Sequence, residues 1–239
     1  MIPLLRRLCL CVAVFCVFSA PANATPAAQS KLVASLARIA PDLNLQALEH
    51  AVAAMHCAVN NGAGAARRLA VIDYSQPSTA RRLWIFDLQR NRLLLHDFVA
   101  HGRMSGENYA ERFSNRVGSY QTSLGLFRTQ ESYQGKHGYS LRMDGLEPGV
   151  NDRARERAIV IHAATYVDPR LVHTQGRIGR SLGCPAVRPE VGRMVVDELK
   201  GGQYLFAWHS DRRWQQASAY LECKPQHLAS IQRGTGDES

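Results

Sequence analysis

Residues 157–187 read RAIVIHAATYVDPRLVHTQGRIGRSLGCPAV. The apolar run Ala158-Ile159-Val160-Ile161 ends in His162, and the stretch closes on Ser181-Leu182-Gly183-Cys184-Pro185-Ala186-Val187. A short apolar run rich in β-branched residues reads as a buried strand. Here it delivers a histidine, followed by a basic loop and a cysteine held between glycine and proline. Acyl transfer at a cysteine needs a thiolate, a base within hydrogen-bond reach and N–H donors for the developing oxyanion. Cys184, His162 and the backbone at Gly183 and Cys184 are candidates for the three. Gly183 has no Cβ and lets backbone approach a substrate closely. Arg170, Arg177 and Arg180 are expected to favour the thiolate through their charge. A histidine and a cysteine alone would carry little, since most free cysteines are small buried hydrophobes. His101, followed by glycine at a strand end, and His173, in the loop, are the rival bases.

The full phrase is more specific. IVIHAATYV followed by GRIGRSLGCPAV resembles the L,D-transpeptidase catalytic domain, a YkuD-like family of peptidoglycan enzymes. That family has a histidine on a strand and a later Ser/Thr-x-Gly-Cys motif, here His162 and Ser181-Leu182-Gly183-Cys184. The likeness extends upstream to Phe113 and is expected to span Leu69 to Trp208. It implies a mainly β (α+β) fold, a twisted β-sandwich with minor helices. It also implies that Cys184 is the nucleophile, that His162 is the base, and that the backbone carbonyl of Ala163 holds the ring. Many members carry a second histidine directly before Gly-Cys. Leu182 stands there in this chain, which removes whatever substrate contact that imidazole makes.

Residues 1–24, MIPLLRRLCLCVAVFCVFSAPANA, have the marks of a secretory signal peptide: Arg6 and Arg7, the apolar stretch Leu8 to Phe18, and Ala22-Asn23-Ala24 as the cleavage site. The apolar run is short for a membrane span. Export to the periplasm, cell envelope or exterior follows, with no stable membrane insertion after cleavage. Cys9, Cys11 and Cys16 would leave with the leader, and Cys57, Cys184 and Cys223 would remain. An odd count in an oxidising compartment suggests one pair and one free thiol. With Cys184 reactive, Cys57 and Cys223 are the candidate pair, although three reduced cysteines satisfy the sequence equally. Losing Arg6 and Arg7 lowers the net charge from +9 to +7. A basic exported surface suits an acidic envelope polymer, and no nucleic-acid-binding module is recognisable.

Thr25 to Gln29 reads as a linker. Leu32, Val33, Leu36 and Ile39 then recur at helical spacing, and Pro41 ends the run. Asn44 is placed to cap a second helix that stops near Asn60-Asn61-Gly62. The extension 25–66 is expected to be a supporting helical hairpin, the catalytic domain to span 67–212, and 213–239 to be a tail. Strands are expected at Leu69–Tyr74, Arg82–Leu88, Arg92–Ala100, Phe127–Thr129, Arg157–His162 and Gln203–His209, with a turn at Gln89-Arg90-Asn91. Pro189 opens a helix that ends before Gly201-Gly202.

The resulting expectation is an exported cysteine acyltransferase acting on peptidoglycan stem peptides, without metal or cofactor. Arg180 and Arg177 are candidates for binding a substrate carboxylate. Ser181, and His137 and Tyr139 in the glycine-bearing loop Gly135-Lys136-His137-Gly138-Tyr139, are further candidates for substrate contact. A hydrolytic L,D-carboxypeptidase or amidase using the same acyl-enzyme, and a non-catalytic envelope-binding module, are the alternatives. A papain-like protease is disfavoured, because its cysteine precedes its histidine.

Overall fold

The protein is described in a computed structural model over residues 26–223. The expected leader, 1–24, and residues 224–239 lie outside them. Helix α1, Pro26–Ile39, takes in residues 26–29 of the expected linker, whose first residue, Thr25, lies outside the described residues. Ala27, Ala28 and Gln29 are all good helix formers, and proline is tolerated in a first turn. Helix α2, Leu45–Ala58, begins where Asn44 Oδ1 accepts the Ala47 N–H at 3.2 Å. It continues into a π-turn, Val59–Ala63, that opens at Gly62. Ala47, Leu48, Ala51, Val52, Ala54 and Met55 are buried on its inner face. They belong to the same core cluster as the sheet, so the hairpin completes the domain's core.

Among the described residues, nine strands form one sheet: β1 Arg68–Asp73, β2 Leu83–Asp87, β3 Arg92–Asp97, β4 Val99–Ala100, β5 Gly125–Gly135, β6 Gly138–Gly145, β7 Val160–Ala163, β8 Ala186–Val187 and β9 Tyr204–Trp208. The order across it is β3-β2-β1-β9-β5-β6-β7-β8-β4. Strands β2 and β9 are buried at every position and carry Trp84, Phe86, Tyr204, Phe206 and Trp208 into the core. Each such side chain contributes about 1.5–3 kcal/mol of burial free energy. The expected strand Arg92–Ala100 is split at Phe98, and its halves, β3 and β4, are the two edges of the sheet. One intervening residue cannot bridge an open nine-stranded sheet, whose neighbouring strands are about 4.8 Å apart. The sheet must therefore curl until its edges nearly meet, which gives the mainly β, sandwich-like body.

Two arginines close that seam. The guanidinium of Arg82, fully buried, donates to the Val99 carbonyl at 3.0 and 3.2 Å and to the Gln76 carbonyl at 2.8 Å. Arg188, just after β8, clamps Asp97 at the end of β3 with paired bonds of 2.7 and 2.9 Å. Paired Arg–carboxylate bonds are directional as well as strong.

Helix α4, Pro189–Leu199, starts and stops where expected and packs on β6 and β7. Short helices Val172–Gln175 (α3) and Arg212–Ala217 (α5) complete the chain. Part of the expected tail is therefore structured, with Trp214 and Tyr220 buried. A disulfide joins Cys57 on α2 to Cys223, with Cα atoms 5.4 Å apart, and leaves Cys184 as the free cysteine among the described residues. Cys57→Ser is expected to cost roughly 2–4 kcal/mol in urea unfolding while leaving the Cys184 site intact. An unchanged unfolding midpoint would refute that contribution.

Glu147, in the turn after β6, is buried. Its Oε1 accepts the Leu126 N–H at 2.7 Å, and its backbone N–H donates to Asn151 Oδ1 at 2.8 Å. Burial raises its pKa from 4.5 to about 7, opposed by the Ser218 hydroxyl and the Leu126 N–H. A pKa raised in the folded state means that the folded protein holds the proton more tightly. The associated stability is complete below about pH 4.5 and is lost as pH rises through 7. Glu147→Gln should remove roughly 2–3 kcal/mol of that dependence, measured by urea unfolding at pH 5 and pH 8. Parallel pH profiles for wild type and variant would contradict the assignment.

Candidate functional site

Strand β7 pairs in parallel with β8, His162 opposite Ala186 and Ala163 opposite Val187. This register brings the histidine's strand beside the segment that carries Cys184. Cys184 Sγ accepts the Val160 N–H at 3.4 Å and lies 3.7 Å from the Ala158 carbonyl. It faces a cleft of about 220 Å³ lined also by Tyr120, Tyr133, Lys136, His137, Arg157 and Leu182.

The turn that presents the thiol is built by Ser181. Its hydroxyl donates to the Cys184 carbonyl at 2.6 Å and accepts the Gly183 N–H at 3.0 Å. Both groups of that buried side chain are thus used inside the turn, and Ser181 shapes the site rather than facing substrate. The Gly183 N–H, expected among the oxyanion donors, is likewise taken. With the Gly183 N–H on Ser181 Oγ, the Cys184 N–H becomes the candidate donor beside the thiol. Gly183 has φ +126°, and a Cβ there would stand 2.9 Å from the Gln121 carbonyl oxygen. Glycine is required at this point for backbone geometry.

His162 is buried on β7. Its Nδ1 lies 2.9 Å from the Ala163 carbonyl oxygen, which accepts only, so Nδ1 carries the proton and Nε2 carries the free lone pair. Burial lowers the His162 pKa below its ordinary value. The Ala163 carbonyl opposes this, while His137 and Lys136 add to it. At neutral pH the ring is therefore an uncharged base. The Cys184 thiol is moved the other way: burial raises its pKa, partly offset by the Val160 N–H, Arg157 and Lys136. The resting state is a neutral thiol beside a neutral imidazole, and Sγ is engaged by backbone rather than by Nε2. Such a site transfers its proton as the nucleophile attacks.

The charges near the thiol differ from those expected. Arg170 is paired to Asp168 at 2.6 Å, and Arg177 and Arg180 both bind Glu107, at 2.8 and 2.7 Å. Arg180 also donates to the Gly106 carbonyl at 2.8 Å. None of the three lines the cleft. Arg170 is paired one to one, while Arg177 and Arg180 share the single carboxylate of Glu107, so they are held at that carboxylate and away from the residues that line the cleft. Arg157 takes the place beside the thiol. Its guanidinium donates to the Ser114 carbonyl at 2.5 Å, the Gln121 carbonyl at 2.6 Å, Ser119 Oγ at 3.1 Å and Ser123 Oγ. It thereby ties segment 114–123 against the site. As the first residue of an expected strand it offered no sign of this. It is the last of three arginines at alternate positions, Arg153, Arg155 and Arg157, and nothing in that pattern singles it out.

The rival bases are both displaced. His101 is fully buried, with Nδ1 2.7 Å from Arg82 Nη2 and Nε2 3.3 Å from the Gly106 carbonyl oxygen. The arginine can only donate and the carbonyl can only accept, so the neutral tautomer is fixed. Burial and then Arg82 depress its pKa to about 3. His173 is exposed on α3. The loop expected at 135–139 is the tip of the β5–β6 hairpin, which the sequence reading missed beyond Thr129. His137 reaches into the cleft and stacks on His162. Tyr139 instead turns to α4, where its hydroxyl donates to Asp197 at 2.9 Å and Arg193 lies 5.3 Å over its ring. It anchors the hairpin and is not part of the cleft lining.

Among the described residues, no group of three or more His, Cys, Asp or Glu side chains is arranged to hold a metal ion. No helix of those residues is long and apolar enough to cross a membrane.

Residues 39–208 match a family model described as L,D-transpeptidase catalytic domain. No curated protein matches the chain. Among solved structures, an L,D-transpeptidase from Mycobacterium smegmatis is 15% identical, covering 60% of this chain and 59% of its own, with TM-score 0.36. One from Stackebrandtia nassauensis is 13% identical, covering 76% and 90%, with TM-score 0.35. The chain thus spans about 59% of the length of the mycobacterial structure.

Proposed function

The chain belongs to the L,D-transpeptidase catalytic-domain family, and from that premise we propose that it is an exported cysteine acyltransferase acting on peptidoglycan stem peptides. The observation that carries the reading is a free thiol in a cleft beside a strand whose histidine is held as a neutral base, with Nδ1 on the Ala163 carbonyl.

The thiol of Cys184 attacks the carbonyl carbon of an L,D peptide bond as His162 Nε2 takes its proton. The carbonyl oxygen gains the electron pair and is met by the Cys184 N–H. Collapse of the tetrahedral intermediate breaks the C–N bond. The His162 imidazolium returns the proton to the leaving amine, and a thioester remains on Cys184. An acceptor amine then attacks that thioester, His162 takes its proton, and on collapse the C–S bond breaks and the imidazolium gives that proton to Sγ, which leaves as the thiol. Arg157 and Lys136 stabilise the negative sulfur while it carries charge. The leader at 1–24 would deliver the enzyme to the cell envelope, where this polymer lies.

Hydrolysis uses the same intermediate, with water as acceptor. Purified muropeptides incubated with the enzyme, with and without an added D-amino acid, separate the outcomes by mass. The transferase reading expects an exchanged C-terminal residue that grows with the added amine. Loss of the terminal residue alone, unaffected by the amine, would make the enzyme a carboxypeptidase. Unaltered muropeptides in both arms would refute the reading.

A further inference from the structure

We propose that His137 is a positioning residue for His162: the tip of the β5–β6 hairpin lays one imidazole on the other and holds the second with Nε2 presented to the thiol. This rests on His162 being the base. The two rings are stacked, with centroids 4.3 Å apart and planes inclined by 22°. His162 is otherwise fixed by one hydrogen bond, from Nδ1 to the Ala163 carbonyl. That bond selects the tautomer and fixes one point of the buried ring, but by itself it does not set the angle of the ring plane. A second ring on its face sets that angle.

The hairpin is built to deliver the contact. Gly135 pairs with Gly138, so Lys136 and His137 are the two residues of a tight tip. Further down, Ser140 of β6 pairs with His162 itself, which registers the hairpin against the base's own strand. Tyr139, bonded to Asp197 and approached by Lys200 at 3.3 Å, secures the hairpin's outer side to α4. His137 also lines the cleft, so the stacked pair sits at its wall. An arrangement that demands an aromatic face, and not a proton, predicts which substitutions are tolerated.

The test uses alkylation of Cys184 by iodoacetamide at a fixed neutral pH, alongside turnover of a tetrapeptide donor. Alkylation reports the thiol and its base without involving peptidoglycan. His137→Ala is expected to slow alkylation and kcat by up to about tenfold, the ceiling of one stacked aromatic pair. His137→Phe, which restores a ring without a titratable nitrogen, is expected to recover both to within about threefold of wild type. In a His162→Ala background, His137→Ala should have no further effect, because the ring it positions is gone. The inference is overturned if Phe is as impaired as Ala, if Ala behaves as wild type, or if His137→Ala slows the His162→Ala protein by the same factor. Thermal unfolding of each variant excludes loss of fold. Wild-type alkylation rates in His162→Ala would instead remove the base assignment itself, and with it the catalytic reading.

Discussion

Cys184→Ala is expected to reduce turnover of a tetrapeptide donor by at least on the order of 10⁴-fold, to the background of the assay. The thiol is the free one among the described residues, and it lies in the cleft that Lys136, His137 and Arg157 also line. Without it no thioester forms, and neither a transfer nor a hydrolytic reaction through that intermediate can proceed. The substitution removes one half-buried sulfur, whose partners are the Val160 N–H and the Ala158 carbonyl, so the fold should persist. Circular dichroism and the unfolding midpoint establish that persistence. Near-normal turnover in a folded Cys184→Ala protein would eliminate covalent catalysis.

His162→Ala should follow closely, with a loss on the order of 10²–10⁴-fold. The case rests on the resting protonation states. Burial holds the Cys184 pKa up and the His162 pKa down, so the thiol is not ionised in advance. A thiol that must lose its proton during attack depends on its base more than a preformed thiolate does. The same directions set the pH profile. Turnover should rise from acid pH as His162 loses its proton, with a midpoint below the ordinary histidine value of 6.5. His162→Ala should abolish that acid limb. A variant lacking both side chains should be little worse than the worse single one, since members of one catalytic unit are not additive. His173→Ala, on exposed α3, should be close to wild type. A large loss there, with His162→Ala unaffected, would move the base.

The stretch from Arg157 to Val187 made the free thiol, the strand histidine and its Ala163 carbonyl partner legible, because all are local to two paired strands. Helix boundaries at Asn44 and Pro189 were readable for the same reason, since capping and proline geometry act within one turn. Long-range pairing was not readable. Glu107 claims Arg177 and Arg180 from about seventy residues away, and nothing near those arginines announces it. Arg157 looked like a strand's first residue until segment 114–123 folded over it. Strand β6, GYSLRMDG, begins and ends in glycine and mixes charge with apolar residues, so its β character comes from lying between β5 and β7. The fully buried Arg82 would be exposed by any residue-type rule. It is inside because closing the sheet leaves the Val99 carbonyl to be satisfied.

The central claim is that the acyl group passes through Cys184. It is tested most directly by mixing excess enzyme with a tetrapeptide donor in the absence of acceptor, quenching in acid within the first turnover, and mapping the peptides by mass spectrometry. The account predicts a peptide containing Cys184 that is heavier by the donor's acyl portion, without its terminal residue, and labile to hydroxylamine as a thioester is. Release of the terminal residue with Cys184 unmodified, or the same added mass on another side chain, would contradict it.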